Sequence, residues 1–346
     1  MITGKLADVT GAGCVLLGTH LGCDGFHYGA ELRVQTHVHA DHMSGFETSK
    51  MHQTICMSRG TYDLLVVQQD AELQYRANLK TLSFGEAFQF EEGEVVLRAS
   101  GHMLGAAQVE VHLNHGPSLG YSGDFYWPCQ DVIQVDTLVV DSTCGSPQLR
   151  MPYTEEQIND RVVSLILDGL SRGPVLLHAH QGTLHRALDS IDMQLSVPVI
   201  ADTPCCDEVK LYSAYGYSMP LVYALDSKEG RRAVQEGRYL HIRTSRGRRP
   251  DNVPEDMTSI VLSAHSNIQY DPVLQYGDRS YRVALSSHAD FDGTLAYIEA
   301  TSAAHVVTDD YPGRGGHAAE LAEEVRHRLG IRAETSSCVY TRAWGA

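Results

Sequence analysis

His37-Val38-His39-Ala40-Asp41-His42 follows directly on Leu32-Arg33-Val34-Gln35, a run that reads as a short apolar strand. Histidines at i and i+2 off a strand end point the same way, so His37 and His39 can bind one ion. Asp41 and His42, two and three residues further on, can face a second ion nearby. A histidine-rich surface loop is the plain alternative, but it does not explain why the motif sits at a strand end.

Two further segments supply the same chemistry. His102 lies in Ser100-Gly101-His102-Met103-Leu104-Gly105-Ala106-Ala107-Gln108, just after the strand-like run Val95–Ala99, and Asp124 lies in Tyr121-Ser122-Gly123-Asp124-Phe125. A histidine beside glycine is more often exposed than liganding. Together with the first motif, however, His102 and Asp124 complete two shells of imidazole and carboxylate, the donor set that divalent ions such as Zn²⁺ prefer.

In motif, order and approximate spacing these residues resemble the metallo-β-lactamase superfamily. Within it they resemble the β-CASP nucleases, a group that includes RNase J, the cleavage-and-polyadenylation endonuclease and Artemis. The GHMLGAAQV and SGDF segments and Val139-Val140-Asp141-Ser142-Thr143-Cys144-Gly145 are nearest to bacterial exonucleases associated with DNA ligases and to mRNA 3′-end processing factor-like proteins. The resemblance covers most of residues 10–145 and 279–330. It implies an α/β fold: a four-layer αββα metallo-β-lactamase sandwich with an inserted α/β β-CASP-like cap. The expected domains are residues 1–150 and 281–346 for the core and 151–280 for the cap.

Carried over residue by residue, the resemblance gives His37, His39 and His102 to one metal and Asp41 and His42 to a second, with Asp124 bridging them. Asp24, in Leu21-Gly22-Cys23-Asp24-Gly25, is similar to the aspartate that steadies the site, although Asp-Gly is also a turn signal. Asp141 matches the acid of the first β-CASP motif. His288, in Leu285-Ser286-Ser287-His288-Ala289-Asp290, matches the histidine of the second, which protonates the leaving oxygen in that family. The third motif departs. RNA-processing members carry His-Gly there and Artemis-type enzymes valine, whereas this chain reads Val306-Val307-Thr308-Asp309-Asp310-Tyr311. Either aspartate can replace the histidine as terminal ligand of the second metal; Asp310 is favoured, with Asp309 left open. A carboxylate there shifts the expected metal from Zn²⁺ towards Mn²⁺. His317 is a further candidate, with a helix N-terminal turn as its plainer reading. His178 and His180 lack a following carboxylate-histidine pair and read as strand-end residues.

The composition bounds the rest. At 346 residues with 43% hydrophobic content, the chain suits a globular protein with a sizeable core. No apolar run approaches the roughly 18–20 residues of a membrane span, and residues 1–5 do not resemble a signal peptide, so a cytoplasmic protein with no membrane partner is expected. The eight cysteines are scattered without a CxxC pair, which argues for buried free thiols over a zinc ribbon or disulfide framework. A formal charge of −16 lowers the expectation of a nucleic-acid partner without excluding it. Arg243, Arg246, Arg248 and Arg249 form the only dense basic cluster, which is a candidate grip on substrate phosphates or simply a solvated loop.

Short β-type runs dominate the first 150 residues, with one helical signal at 58–69. After Pro152 the texture changes. Thr154-Glu155-Glu156-Gln157 reads as a capping box, with Ile158, Val162, Ile166 and Leu170 following at helical spacing. Strand-like 174–178, helix-like 183–193 and strand-like 197–201 then alternate as in a parallel α/β sheet. A last helix is expected at Ala318–Leu329.

The expected activity is hydrolysis of phosphodiester bonds in single-stranded DNA or RNA, as an exonuclease in DNA repair or RNA processing, through a hydroxide shared by two metal ions. Asp41, Asp141 and His288 are the expected catalytic residues. The rivals are a small-molecule metallo-hydrolase of the same fold and a non-catalytic β-CASP partner subunit.

Overall fold

Glycine-punctuated β-branched runs and one long amphipathic helix divide the chain into two units: Met1–Arg150 with His288–Ala346, and Met151–Ser287. The computed structural model describes residues 5–68, 71–191, 196–244, 253–264, 271–313 and 316–337.

The first unit begins with β1 (Ala7–Val9), β2 (Val15–Leu17), β3 (Leu21–Cys23) and β4 (Leu32–Gln35). Helix α1 (Phe46–His52) leads to β5 (Thr54–Ser58), and α2 (Arg59–Gln68) leads to β6 (Leu79–Leu82). The six strands lie in sequence order in one sheet. It is antiparallel up to β3 and parallel from β3 to β6. The parallel pairs β4–β5 and β5–β6 need crossovers, which α1 and α2 supply. A second sheet starts with β7 (Ala87–Phe90), β8 (Gly93–Ala99), β9 (Ala107–Leu113), β10 (Ser118–Tyr121) and β11 (Thr137–Val140).

The second unit opens with α3 (Glu155–Arg172). Its capping box is formed: Thr154 Oγ1 accepts from the Gln157 amide at 3.3 Å, and Gln157 Oε1 accepts from the Thr154 amide at 2.9 Å. Then follow β12 (Val175–Ala179), α4 (Thr183–Ile191), β13 (Val199–Ala201), α5 (Thr203–Ala214), β14 (Val222–Ala224), α6 (Lys228–Glu236), β15 (Leu240–Thr244), β16 (Thr258–Leu262), β17 (Val273–Gly277) and β18 (Ser280–Val283). The sheet order is β14-β13-β15-β12-β16-β18-β17, parallel except at β17. The stripe Ile158, Val162, Ile166 and Leu170 packs against Val175, Leu177, Ile242 and Ile260 in one core. Truncating Ile166, which is fully buried there, would cost about 2–5 kcal/mol.

The chain returns to the first unit with α7 (Phe291–Ala300), β19 (His305–Thr308), α8 (His317–Glu324) and β20 (Arg332–Thr335). These complete the second sheet, ordered β20-β19-β11-β10-β9-β8-β7. Its side chains alternate with the strand period of two. Val139 and Val307 join a core shared with Leu32, Val34 and Cys56 of the first sheet, whereas Leu138, Val140 and Val306 face Phe291, Ile298 and Leu321. The second sheet therefore packs the first sheet on one side and α7 and α8 on the other.

Among the described residues no helix is long and apolar enough to cross a membrane. Seven of the cysteines are described and all are free; Cys129 and Cys144 are half-buried rather than buried, and Cys338 lies outside the described residues.

Candidate metal centre

Strand β4 ends at Gln35, and a 3₁₀ turn over Ala40–His42 brings the motif back on itself, with the His42 amide donating to the His39 carbonyl at 3.0 Å. The anchor of this turn is Asp24, which follows β3 in a left-handed conformation at φ 58°. One carboxylate oxygen accepts from the Thr36 amide at 2.8 Å and the Gln35 side chain at 3.3 Å. The other accepts from Thr36 Oγ1 at 2.5 Å and His42 Nδ1 at 2.8 Å.

These bonds assign tautomers. Asp24 can only accept, so the Thr36 hydroxyl donates to it and in turn accepts from His37 Nδ1 at 3.0 Å. His37 Nε2 is left as a lone pair, buried and without a hydrogen-bond partner, 3.5 Å from Asp124. His42 likewise spends Nδ1 on Asp24 and aims Nε2 at Asp124, 3.2 Å away. Carboxylates that fix the outer nitrogen in this way orient metal-ligating histidines.

His102 leaves the turn after β8 with its Nε2 3.1 Å from His39 Nδ1 and 3.5 Å from Asp124. Asp124 is delivered by Gly123, at φ 55°, where a Cβ would stand only 2.6 Å from the Ala107 carbonyl oxygen, too close for any side chain. His37, His39, His102 and Asp124 each offer a ligand atom, all within 4.8 Å of one another, and all four residues are buried. An orphaned imidazole nitrogen inside such a set of histidines and carboxylate fits a divalent cation.

The electrostatics fit the same use. Burial by itself would favour neutral imidazole at His42, but the Asp124 and Asp24 carboxylates outweigh it and hold its pKa well above the ordinary value. Burial would raise Asp124, yet His42 and His288 overcome that and hold its carboxyl well below the usual range. Without metal, the cluster stores a proton that a cation would displace.

Asp141 lies just past β11. One of its oxygens accepts from the Thr143 amide at 2.9 Å and the Thr143 hydroxyl at 2.6 Å, while the other lies 3.0 Å from His288 Nδ1. His288 Nε2 is 3.6 Å from Asp124. Asp124, Asp141 and His288 thus form a second group of converging ligand atoms.

A pocket at this centre is lined by Gly13, Asp41, His42, Tyr121, Asp124, Asp141, Asp309 and Tyr311. Of the two aspartates left open in the third motif, Asp309 lines it and Asp310 does not. Asp309 accepts from the Tyr311 amide at 2.9 Å, and the Asp310 amide donates to Ser336 Oγ at 3.0 Å. His317 begins α8, its Nδ1 3.1 Å from the Thr143 carbonyl oxygen. Sequence reasoning missed Tyr311 and Gly13. They are interdependent: a Cβ at Gly13, φ 82°, would lie 2.4 Å from the Tyr311 ring. No local signal connects two residues so far apart in the chain.

Other candidates lie in the second unit. His178 is buried on β12 and paired in register with Arg243 of β15; burial, aided by the Arg243 charge, lowers it to about 4. His180 is half-buried and Arg243 exposed. Arg246, Arg248 and Arg249 lie outside the described residues.

No family model matches the chain. Over 138 residues, 39% of its length, it is 30% identical to an uncharacterized protein in the lig 3′ region of Acidianus ambivalens, 98% of which is covered. The chain belongs to that protein's family. It is also 25% identical to a probable DNA ligase of Opitutus terrae, over 87% of this chain but only 28% of that protein. An RNase J-like protein of Methanocaldococcus jannaschii is 22% identical over 70% of this chain and 62% of its own length. A solved structure from Enterococcus faecalis, a protein of unknown function, shares the fold with a TM-score of 0.52 at 13% identity, covering 80% of this chain and 74% of that one.

Proposed function

We propose that the chain is a metal-dependent hydrolase of the metallo-β-lactamase superfamily that cleaves phosphodiester bonds of single-stranded DNA or RNA, working from an end. The observation that carries this reading is the Asp141–His288 pair at 3.0 Å, set beside a buried cluster of three histidines and a carboxylate. A poor alkoxide leaving group, such as a phosphodiester expels, needs an acid beside the cluster. In this reading the first unit is a four-layer αββα sandwich and the second a β-CASP-like cap. The names of the relatives, an RNase J-like protein and a probable DNA ligase, support a nucleic-acid substrate.

His37, His39 and His102 would hold one ion, and Asp41, His42 and Asp309 a second, with Asp124 reaching both. When bound, the ions supply water that ionises near neutral pH and neutralise charge on the phosphate. The chain's own groups do the rest. Asp24 holds the His42 ring, directly and with Thr36 the His37 ring, so that both Nε2 atoms face inward. Asp41, an exposed residue of the motif, would orient the attacking water. Asp141 fixes His288 through Nδ1, leaving Nε2 to hand its proton to the departing 3′ or 5′ oxygen. Tyr311 walls the pocket where a base or sugar would sit.

The test is a time course on end-labelled single- and double-stranded DNA and RNA with Zn²⁺ or Mn²⁺. Progressive shortening from one end is expected for single strands. Intact substrates under every condition would overturn the reading. The net charge of −16 favours a second reading, a small-molecule phosphodiesterase. Cleavage of bis-p-nitrophenyl phosphate with all nucleic acids left intact would establish it.

A further inference from the structure

We propose that Arg33 is a positioning residue: it holds the His37–Ser44 turn in its ligating shape, so that the ion bound through His42 meets a ready-made site. The proposal rests on the metal-binding reading above.

The sequence of β4 alternates. Leu32 and Val34 enter the core between the sheets, which sends Arg33 and Gln35 to the opposite face, where both are fully buried. A buried guanidinium is costly unless its donors are met. Here all five N–H groups have acceptors. Nε and Nη2 donate to Gln35 Oε1 at 3.1 and 2.7 Å, and Nη2 also donates to the His42 carbonyl at 3.0 Å. Nη1 donates to the Ser44 carbonyl at 2.9 Å and to Ser49 Oγ at 3.0 Å. The guanidinium also lies 5.2 Å from the Phe46 ring centroid.

Gln35 extends the same lattice. Its Nε2 donates to the His37 carbonyl at 2.6 Å, the His42 carbonyl at 3.1 Å and Asp24 at 3.3 Å. Both ends of the motif, His37 and His42, are therefore tied by their main chain to one face of one strand. From there the His42 ring lies along the line from Asp24 to Asp124, its Nδ1 2.8 Å from the first and its Nε2 3.2 Å from the second. Arg33 touches no ligand atom; it acts through the backbone of the turn. Lysine keeps the charge but not the planar fork that reaches Gln35, His42, Ser44 and Ser49 together.

The full chain is tested as Arg33→Lys, with Gln35→Met as a second variant that cuts the link to Asp24. Each protein is stripped of metal and titrated with Zn²⁺ against a chromophoric chelator, and hydrogen exchange is followed in the metal-free state. Expected in both variants is a loss of about 10–100-fold in affinity for the ion bound through His42, as found when groups supporting ligands are altered. Arg33→Lys leaves the Gln35 bond to His37 in place, so in that variant affinity for the other ion should change less than about threefold. Faster exchange at the His42 and Met43 amides is expected in the same variants, a readout that does not depend on activity. If Arg33→Lys does not fold, Gln35→Met carries both measurements. Wild type that binds two ions, with folded variants that match it in both readouts, overturns this inference alone. Wild type that binds no ion overturns the functional reading and this inference with it.

Discussion

His288 Nδ1 lies 3.0 Å from Asp141 Oδ2, and the far nitrogen of the same ring stands 3.6 Å from Asp124. The ring thus spans from a carboxylate that orients it to the carboxylate at the heart of the cluster. If His288 is the general acid, Asp141→Asn and His288→Ala should each slow single-turnover cleavage of an end-labelled strand by about 10²–10⁴-fold. Because the two act as one unit, the double variant should be no slower than the worse single one. Multiplying losses would show that they work separately, and unchanged rates would remove both from the chemistry.

Asp24 supports the centre without facing the pocket. It accepts four hydrogen bonds, one of them from His42 Nδ1 at 2.8 Å. Asp24→Asn puts a donor where two acceptor oxygens are needed, so His42 loses its orienting partner. Affinity for the ion bound through His42 should fall about 10–100-fold. Isothermal titration with Zn²⁺ measures this, and an unchanged isotherm would reduce Asp24 to a turn former.

The convergence of His37, His39, His102 and Asp124 was legible in the sequence because these residues follow strands, where i and i+2 spacing has one geometric meaning. The capping box at Thr154 was legible for the same local reason. What is non-local was not. Leu32-Arg33-Val34-Gln35 reads as an apolar strand, yet two of its four residues are polar and buried, satisfied by carbonyls of a loop whose path the strand itself does not specify. The choice between Asp309 and Asp310 depends on how β19 meets β11 and where the Ser336 hydroxyl lands, neither of which spacing can settle. Helix α7 was missed because Phe291, Leu295, Tyr297 and Ile298 are all buried, and a helix apolar on several sides carries little amphipathic signal.

The charges in the cluster set opposite pH limits on the metal-free protein. His42 is raised above 6.5, so its contribution to stability is full below about 6.5 and is lost as pH rises through its folded pKa. Asp124 is depressed below 3.8, so its contribution is full above about 3.8 and is lost as pH falls through its folded value. Chelator-stripped protein should therefore melt lower at alkaline pH than near pH 6.5. Metal binding must displace the His42 proton, so affinity should rise about tenfold per pH unit for each proton released. Added Zn²⁺ should raise the melting temperature more at pH 8 than at pH 6. A metal-induced shift independent of pH would show that no proton leaves the cluster.

In the second unit His185 is fully buried on α4, its ring stacked on Tyr212 of α5 at 3.9 Å and 3°. Its Nε2 is 3.9 Å from Glu208, too far for a hydrogen bond, and neither ring nitrogen makes one. Burial therefore dominates and pushes the pKa down to about 3. The unfolded chain takes up a proton here at about 6.5, which the folded one refuses, so stability falls with pH across the window from about 6.5 to about 3. The slope from this residue is about 1.4 kcal/mol per pH unit. His185→Phe keeps the stack on Tyr212 and removes the titration. Denaturant unfolding of the full chain at pH 6.5 and pH 5 should show a loss about 2 kcal/mol smaller in the variant than in the wild type. An equal loss in both proteins would mean that His185 finds a compensating partner once protonated, and Glu208, the nearest carboxylate, would have to move to provide it.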